Sequence, residues 1–350
     1  MPPRSVTSGQ VAGIVLLALF TLGTETLPGR LSAAGGAAWL CPLLAGAAVL
    51  PPVLLRNRRP LRKRSRPSAR LRPASARLPA VLLLLWGLAA TAEQARRVGL
   101  RLSDDLRGSP LLLTAALLVL AAWMATGGPA ALGRACRIFA MAVGLAFFFI
   151  VLFGLPGLRW DRILLWDAAD LRALPRGAAV TAETLSVGLY ALVLLEAPGP
   201  EEERQGPGRL AALFPLLALG TLLVTGRLGP GLAERVENPF FQMVSGLGFQ
   251  GAFQRLEELV SALWLLGDLA LLALLLLALR RLLSCGIGRK ETTVMGWLTA
   301  AAVLVFVLCQ TLWGSGSEST VSTAGSLAAG AVLIAWKAME KFFENPKKGA

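Results

Sequence analysis

Carboxylates and a guanidinium set inside apolar runs are the groups of this chain with chemistry to do. Glu25 follows Leu22, Gly23 and Thr24 in one run, Glu93 lies in another, and Thr181, Glu183 and Thr184 lie in a third. Arg255, Glu257 and Glu258 open a fourth, in which Trp264 and Asp268 follow. Charge held in lipid is costly, so each such residue is a functional candidate by default. A carboxylate there can receive an ammonium group or carry a proton, and a guanidinium can clamp a carboxylate. A plainer reading stands beside this one: charges within a turn of a helix end snorkel into lipid headgroups.

The elements that must position these groups are membrane spans. Of 350 residues, 55% are apolar and only 16% charged, and the mean hydropathy is +0.62. Several apolar runs reach the eighteen or so residues that cross a bilayer. That composition leaves no room for a sizeable soluble domain. The first run, preceded by Arg4, reads as a retained helix rather than a cleaved leader, because Glu25 follows it and no small-x-small site does.

The expected fold is all-α integral membrane, a single polytopic domain over residues 1–350. Its spans fall at about 10–27, 34–55, 79–98, 109–126, 138–156, 176–196, 209–228, 252–283, 293–313 and 321–342. The net charge of +14 is concentrated: ten basic residues and no acid lie between Arg56 and Arg77. This pattern marks a cytoplasmic loop, one that can touch anionic lipid, rather than a nucleic-acid surface. With both termini in the cytoplasm, inside segments carry about twice the basic residues of outside ones.

In that orientation Glu25, Glu93, Glu183, Arg255, Glu257 and Glu258 all fall in the outer third, on four different helices. Two readings follow. Either they form one outward-facing vestibule, in which Arg255 pairs with a Glu and surplus carboxylate receives an ammonium group, or each lies separately in the headgroup zone. Asp268 is deeper, about 24 Å into the eighth span. It reads as a gate or proton group, or as a helix-packing hydrogen-bonder.

Spans one and six match further. Each carries a Glu-Thr dipeptide, Glu25-Thr26 and Glu183-Thr184, in a polar interruption. Ten spans built as a five-plus-five inverted repeat, with broken helices one and six holding the solute, form a known transporter architecture. The interruption at Leu22 to Thr26 reads as an unwound segment or as a helix ending early.

Metal and enzyme chemistry have little to work with. The chain has no histidine, which removes the commonest metal ligand and general base. Cys41, Cys136, Cys285 and Cys309 lack metal-ligand spacing and read as small buried thiols. No cofactor, no metal and no catalytic residue is expected, and the chain is not read as an enzyme.

Several stretches resemble the B subunit of spore germinant receptors, within the amino acid–polyamine–organocation superfamily. Thr7-Ser8-Gly9-Gln10 leading to Leu22-Gly23 resembles that family's first helix, and Ala37-Ala38-Trp39-Leu40 through Leu43-Leu44-Ala45-Gly46 its second. More specific is Pro239-Phe240-Phe241, then Arg255-Leu256-Glu257, then Trp264. The resemblance implies a nutrient-sensing subunit in the spore inner membrane, with N- and C-termini on the cytoplasmic, spore-core side. It would bind a small germinant, an amino acid, and trigger germination with a membrane A subunit and a C-subunit lipoprotein. The alternative is an ion-coupled amino acid or polyamine permease. Span eight offers few hydroxyls for a sodium site, with only Ser261 before Asp268, although Glu93 or Asp268 could couple a proton.

Overall fold

The computed structural model describes residues 10, 13–48, 77–194, 206–247, 256–287 and 291–312. Arg255, the side chain of Glu257, nearly all of the Arg-rich stretch and the expected tenth span lie outside what is described. Every regular element among the described residues is a helix. A π-turn, Val15–Leu19, runs directly into α1 (Phe20–Arg30), and a 3-10 turn, Ser32–Ala37, leads to α2 (40–48). Next come α3 (Arg77–Leu106), α4 (Pro110–Thr126), α5 (Gly128–Gly154) and the short α6 (Asp161–Leu164). They are followed by α7 (Ala168–Leu194), α8 (Gly206–Leu228), α9 (Pro230–Arg235), α10 (Pro239–Ser245), α11 (Leu256–Ile287) and α12 (Thr293–Leu312).

Among the described residues five helical stretches are long and apolar enough to cross a membrane: Leu78–Asp104, Gly128–Gly157, Ala211–Leu228, Glu258–Ile287 and Thr293–Thr311. Helix α7, with 27 residues, is long enough but is not among the five. Five of the expected spans overlap these stretches, with bounds that agree at Leu228 and Thr293 and differ by up to ten residues elsewhere. The connection expected from Arg101 to Arg107 is instead mostly the end of α3, which runs to Leu106.

The chain divides into two compact units. One holds Met1–Pro60, Ala130–Gly188 and Ala197–Leu271. Its centre is α1, which packs against α8, α9 and α10. Small residues let helices approach closely where lipid offers no hydrophobic drive. Gly23 shows this: a Cβ there would sit 2.5 Å from Cδ2 of Leu217 on α8. At Gly35, in the 3-10 turn, φ is +52°, a backbone state that L side chains rarely adopt, and the Asp170 carboxylate lies against its Cα.

The second unit holds Leu61–Pro129, Leu189–Glu196 and Leu272–Ala350. Helices α3, α4 and α12 pack on one another. The hydroxyl of Tyr190 donates to the Leu83 carbonyl at 3.0 Å, and its ring meets Trp86 edge-on at 4.7 Å.

The expected interruptions in spans one and six are absent in that form. Residues 20–30 are one α-helix, and Thr181 to Thr184 lie inside the continuous α7. The reason is local hydrogen bonding. Thr21, Thr24 and Thr26 donate to carbonyls four residues back at 2.8, 2.9 and 2.7 Å, and Thr181 and Thr184 do the same at 3.0 and 2.9 Å. A threonine that returns its hydroxyl to its own helix needs no unwound backbone. The irregularity comes one turn earlier, in the π-turn Val15–Leu19, a feature frequent at functional sites.

Candidate solute-binding site

The site is built where α1 meets α10 and α11. Pro239 starts α10 at its first position, where a missing N–H costs nothing. That places Phe240 and Phe241 side by side, their ring centroids 5.8 Å apart. Trp264 of α11 lies 5.0 Å from Phe240, 6.5 Å from Phe241 and 6.1 Å from Phe20 of α1. Phe20 in turn meets Phe147 of α5 edge-on at 4.8 Å. Trp264 and Phe240 are the largest fully buried side chains of the described residues.

An indole buried this deeply must place its N–H. Trp264 donates it to the hydroxyl of Thr24 at 2.9 Å. The Thr24 hydroxyl in turn donates a hydrogen bond to the Phe20 carbonyl, so the bond is one link in a satisfied chain from α11 into the backbone of α1. Glu25, one position on, is also buried. Ring faces attract cations and a carboxylate attracts an ammonium group, so the rings around Trp264 and the carboxylate of Glu25 are the group types that an ammonium-bearing solute needs.

One helical turn beyond, α1 ends at Arg30. Its guanidinium donates to the Thr184 hydroxyl at 2.7 Å and to Glu183 at 3.3 Å. This pair ties the C-terminal end of α1 to the middle of α7. Arg30 lies about 9 Å along α1 from Thr24 at 1.5 Å per residue. Sequence reasoning assigned the clamp to Arg255; among the described residues Arg30 performs it. The signal was present, since Arg30 follows Pro28-Gly29 at the end of a run with its own acid, but it read as a loop charge.

The face of α11 that carries Trp264 continues through Gly267, Asp268 and Leu271. Gly267 receives the Thr21 side chain of α1, and Leu271 lies beside Gly188 of α7. Asp268, between them, is fully buried. Leu22, Thr181 and Thr184 are buried as well, while Glu258 at the start of α11 is exposed. Glu93 belongs to the second unit. There Arg97 and Arg96 of its own helix hold it at 3.3 and 3.5 Å. Its charge is therefore answered locally, one turn along α3. Among the described residues no group of three His, Cys, Asp or Glu side chains gathers as metal ligands would.

No family model and no curated protein matches this sequence. Among solved structures the chain is similar to Mhp1, a nucleobase-cation-symport-1 family transporter, in a closed conformation with bromovinylhydantoin bound. The TM-score is 0.65 at 14% identity, over 94% of this chain and 76% of that one. At that identity the likeness concerns the fold. The fold is transporter-like, and with its apolar helices the chain is an integral membrane protein.

Proposed function

We propose that this chain is the nutrient-sensing B subunit of a spore germinant receptor, housed in the spore inner membrane. It binds a small germinant, an amino acid, at the corner formed by Thr24, Glu25 and the aromatic groups around Trp264. The observation that carries this reading is the Trp264–Thr24 bond. With the ring contact of Phe240 on Trp264, it draws together Pro239-Phe240-Phe241, Trp264 and the first helix, which are three of the stretches on which the family resemblance rests. The substrate's ammonium is held by carboxylate and aromatic faces, and nothing in the site transforms it. Binding then drives a change of shape by its differential affinity for two states. A membrane A subunit and a C-subunit lipoprotein read out that change.

A second reading, an ion-coupled amino acid or polyamine permease, is favoured by the transporter-like fold itself. One pair of experiments separates the two. Spores lacking their own receptor B subunit, complemented with this chain, are exposed to a panel of amino acids. The purified chain in proteoliposomes is given the same labelled amino acids under an ion gradient. Germination without accumulation supports the sensor; accumulation without germination replaces it with the permease.

A further inference from the structure

An amino acid carries two charges, and the groups around Trp264 and Glu25 answer its ammonium end. The carboxylate needs a cation or a set of open N–H groups. Residues 20–30 form one α-helix, so the backbone N–H groups beside Thr24 and Glu25 are committed to their own helical turns. A side-chain cation remains as the partner.

The packing of α1 on α7 fixes where such a cation stands. Leu19, at the entry to α1, lies against Gly188 of α7. Leu31, just past its end, lies 3.3 Å from a Cβ placed on Gly177. Twelve positions up one helix thus match eleven positions down the other, so the two run antiparallel. At equal rise per residue, Thr24 and Glu25 are level with Glu183 and Thr184. Arg30 reaches those two residues of α7, donating to the Thr184 hydroxyl at 2.7 Å and to Glu183 at 3.3 Å. Its side chain therefore turns back along the seam, toward the level of the solute corner.

The pair is one that a solute can displace. The guanidinium side chain is 38% exposed, which leaves it open to a solute arriving through water. A pair with a solvent-reached partner holds weakly, so a second carboxylate competes with it at little cost. The guanidinium fork is also divided, one nitrogen on Thr184 and the other on Glu183. A carboxylate that takes both arms in parallel is the stronger ligand.

We propose that Arg30 is the specificity-determining residue that reads the carboxylate of the solute, with Glu183 standing in for that carboxylate until solute arrives. This rests on the reading of the corner as an amino acid site. The solute's ammonium lies against Glu25 and the rings around Trp264. Its carboxylate takes the Arg30 fork and displaces Glu183. The tie between α1 and α7 is thereby exchanged for one between α1 and the solute, so occupancy and the arrangement of these two helices depend on each other. The solute class is a zwitterion: an amine without a carboxylate fills the corner and leaves the Arg30–Glu183 tie in place.

Calorimetric binding to the full-length chain in lipid nanodiscs at neutral pH tests this. Alanine, leucine and phenylalanine are each offered beside three relatives: the amide, the amine that lacks the carboxyl group and the acid that lacks the amino group. In the parent protein the amino acids should bind about ten-fold or more tighter than their amides, the scale of one charged hydrogen-bond partner. Arg30→Gln should remove that preference. Arg30→Lys should keep part of it, because the charge stays while the fork is lost. Glu183→Gln should widen it by about three-fold, since the competing carboxylate is gone. If Arg30→Gln does not fold, Arg30→Lys and Glu183→Gln carry the test. A parent without the preference overturns the proposal, as does a preference that survives Arg30→Gln or shrinks in Glu183→Gln. Binding of neither amino acids nor amines overturns instead the reading of the corner as an amino acid site. In that case an acid bound by the parent and lost in Arg30→Gln still supports the role of Arg30, and no acid bound overturns that role as well.

Discussion

The indole N–H of Trp264 donates to the hydroxyl of Thr24 at 2.9 Å, joining two helices 240 positions apart in sequence. Both side chains are buried, so the bond cannot be exchanged for water. Thr24→Val keeps the shape and removes the acceptor. It should destabilise the protein by about 1–3 kcal/mol, the cost of an unpaired buried donor. In a double-mutant cycle with Trp264→Phe, thermal unfolding in detergent should return a coupling of about 1 kcal/mol. Strictly additive losses would show that the two groups do not depend on each other.

Arg30 and Glu183 make an ion pair at 3.3 Å in which the guanidinium side chain is 38% exposed and the carboxylate 10%. Exposure of the guanidinium screens the pair, so Glu183→Gln should cost no more than about 1 kcal/mol of stability. Arg30→Ala should cost more, since it leaves the less exposed carboxylate without its cation. The exchanged pair Arg30→Glu with Glu183→Arg should recover part of the Arg30→Ala loss. Stability measured on all three variants checks the ordering, and a swapped pair no better than Arg30→Ala would contradict it.

Gly23 is a packing glycine, not a hinge. A Cβ at this position meets Cδ2 of Leu217 at 2.5 Å and Cδ1 at 3.0 Å. Gly23→Ala should therefore lower stability by about 1–3 kcal/mol through overpacking. Leu217→Ala opens the space, and the double variant should be more stable than the sum of the two single losses predicts. Thermal melts of the four proteins decide it; simple additivity would return Gly23 to the role of a backbone break.

Asp161 lies outside the membrane-crossing stretches. The Arg159 guanidinium donates to its carboxylate at 3.1 Å and, with that bond as the main cause, holds Asp161 below the usual carboxylate range. A depressed folded value means that the contribution is present above the ordinary carboxylate range and is lost as pH falls through the folded value. Arg159→Gln should raise the Asp161 midpoint, read by carbon-13 carboxyl shifts. Both partners lie at the surface, where screening keeps neutral-pH stability nearly unchanged. A midpoint that stays put would mean that the pair does not form in solution.

Which residues matter was only partly legible in the chain. Trp264, Thr24, Glu183, Thr184 and Asp268 stood out because polar or aromatic groups inside apolar runs are rare and expensive. Phe20 and Phe147 did not, since an apolar residue in an apolar span carries no signal of which neighbour it meets. Arg30 read as a loop charge for the same reason: pairing across 153 positions leaves no trace in local sequence.

What the sequence determined by itself was the solvent. Long apolar runs and a concentrated basic loop demand helices in a bilayer, because only helices and closed barrels satisfy their backbone there. It also set the cost of every charge along those runs. The tertiary structure decided which charge answers which. Threonine hydroxyls turned back onto their own helices kept α1 and α7 continuous where polar composition suggested a break. The contact of Thr21 with Gly267 and the bond between Thr24 and Trp264 depend on how closely two helices approach. That distance is set by side-chain volumes at their crossing, not by the order of residues in either one.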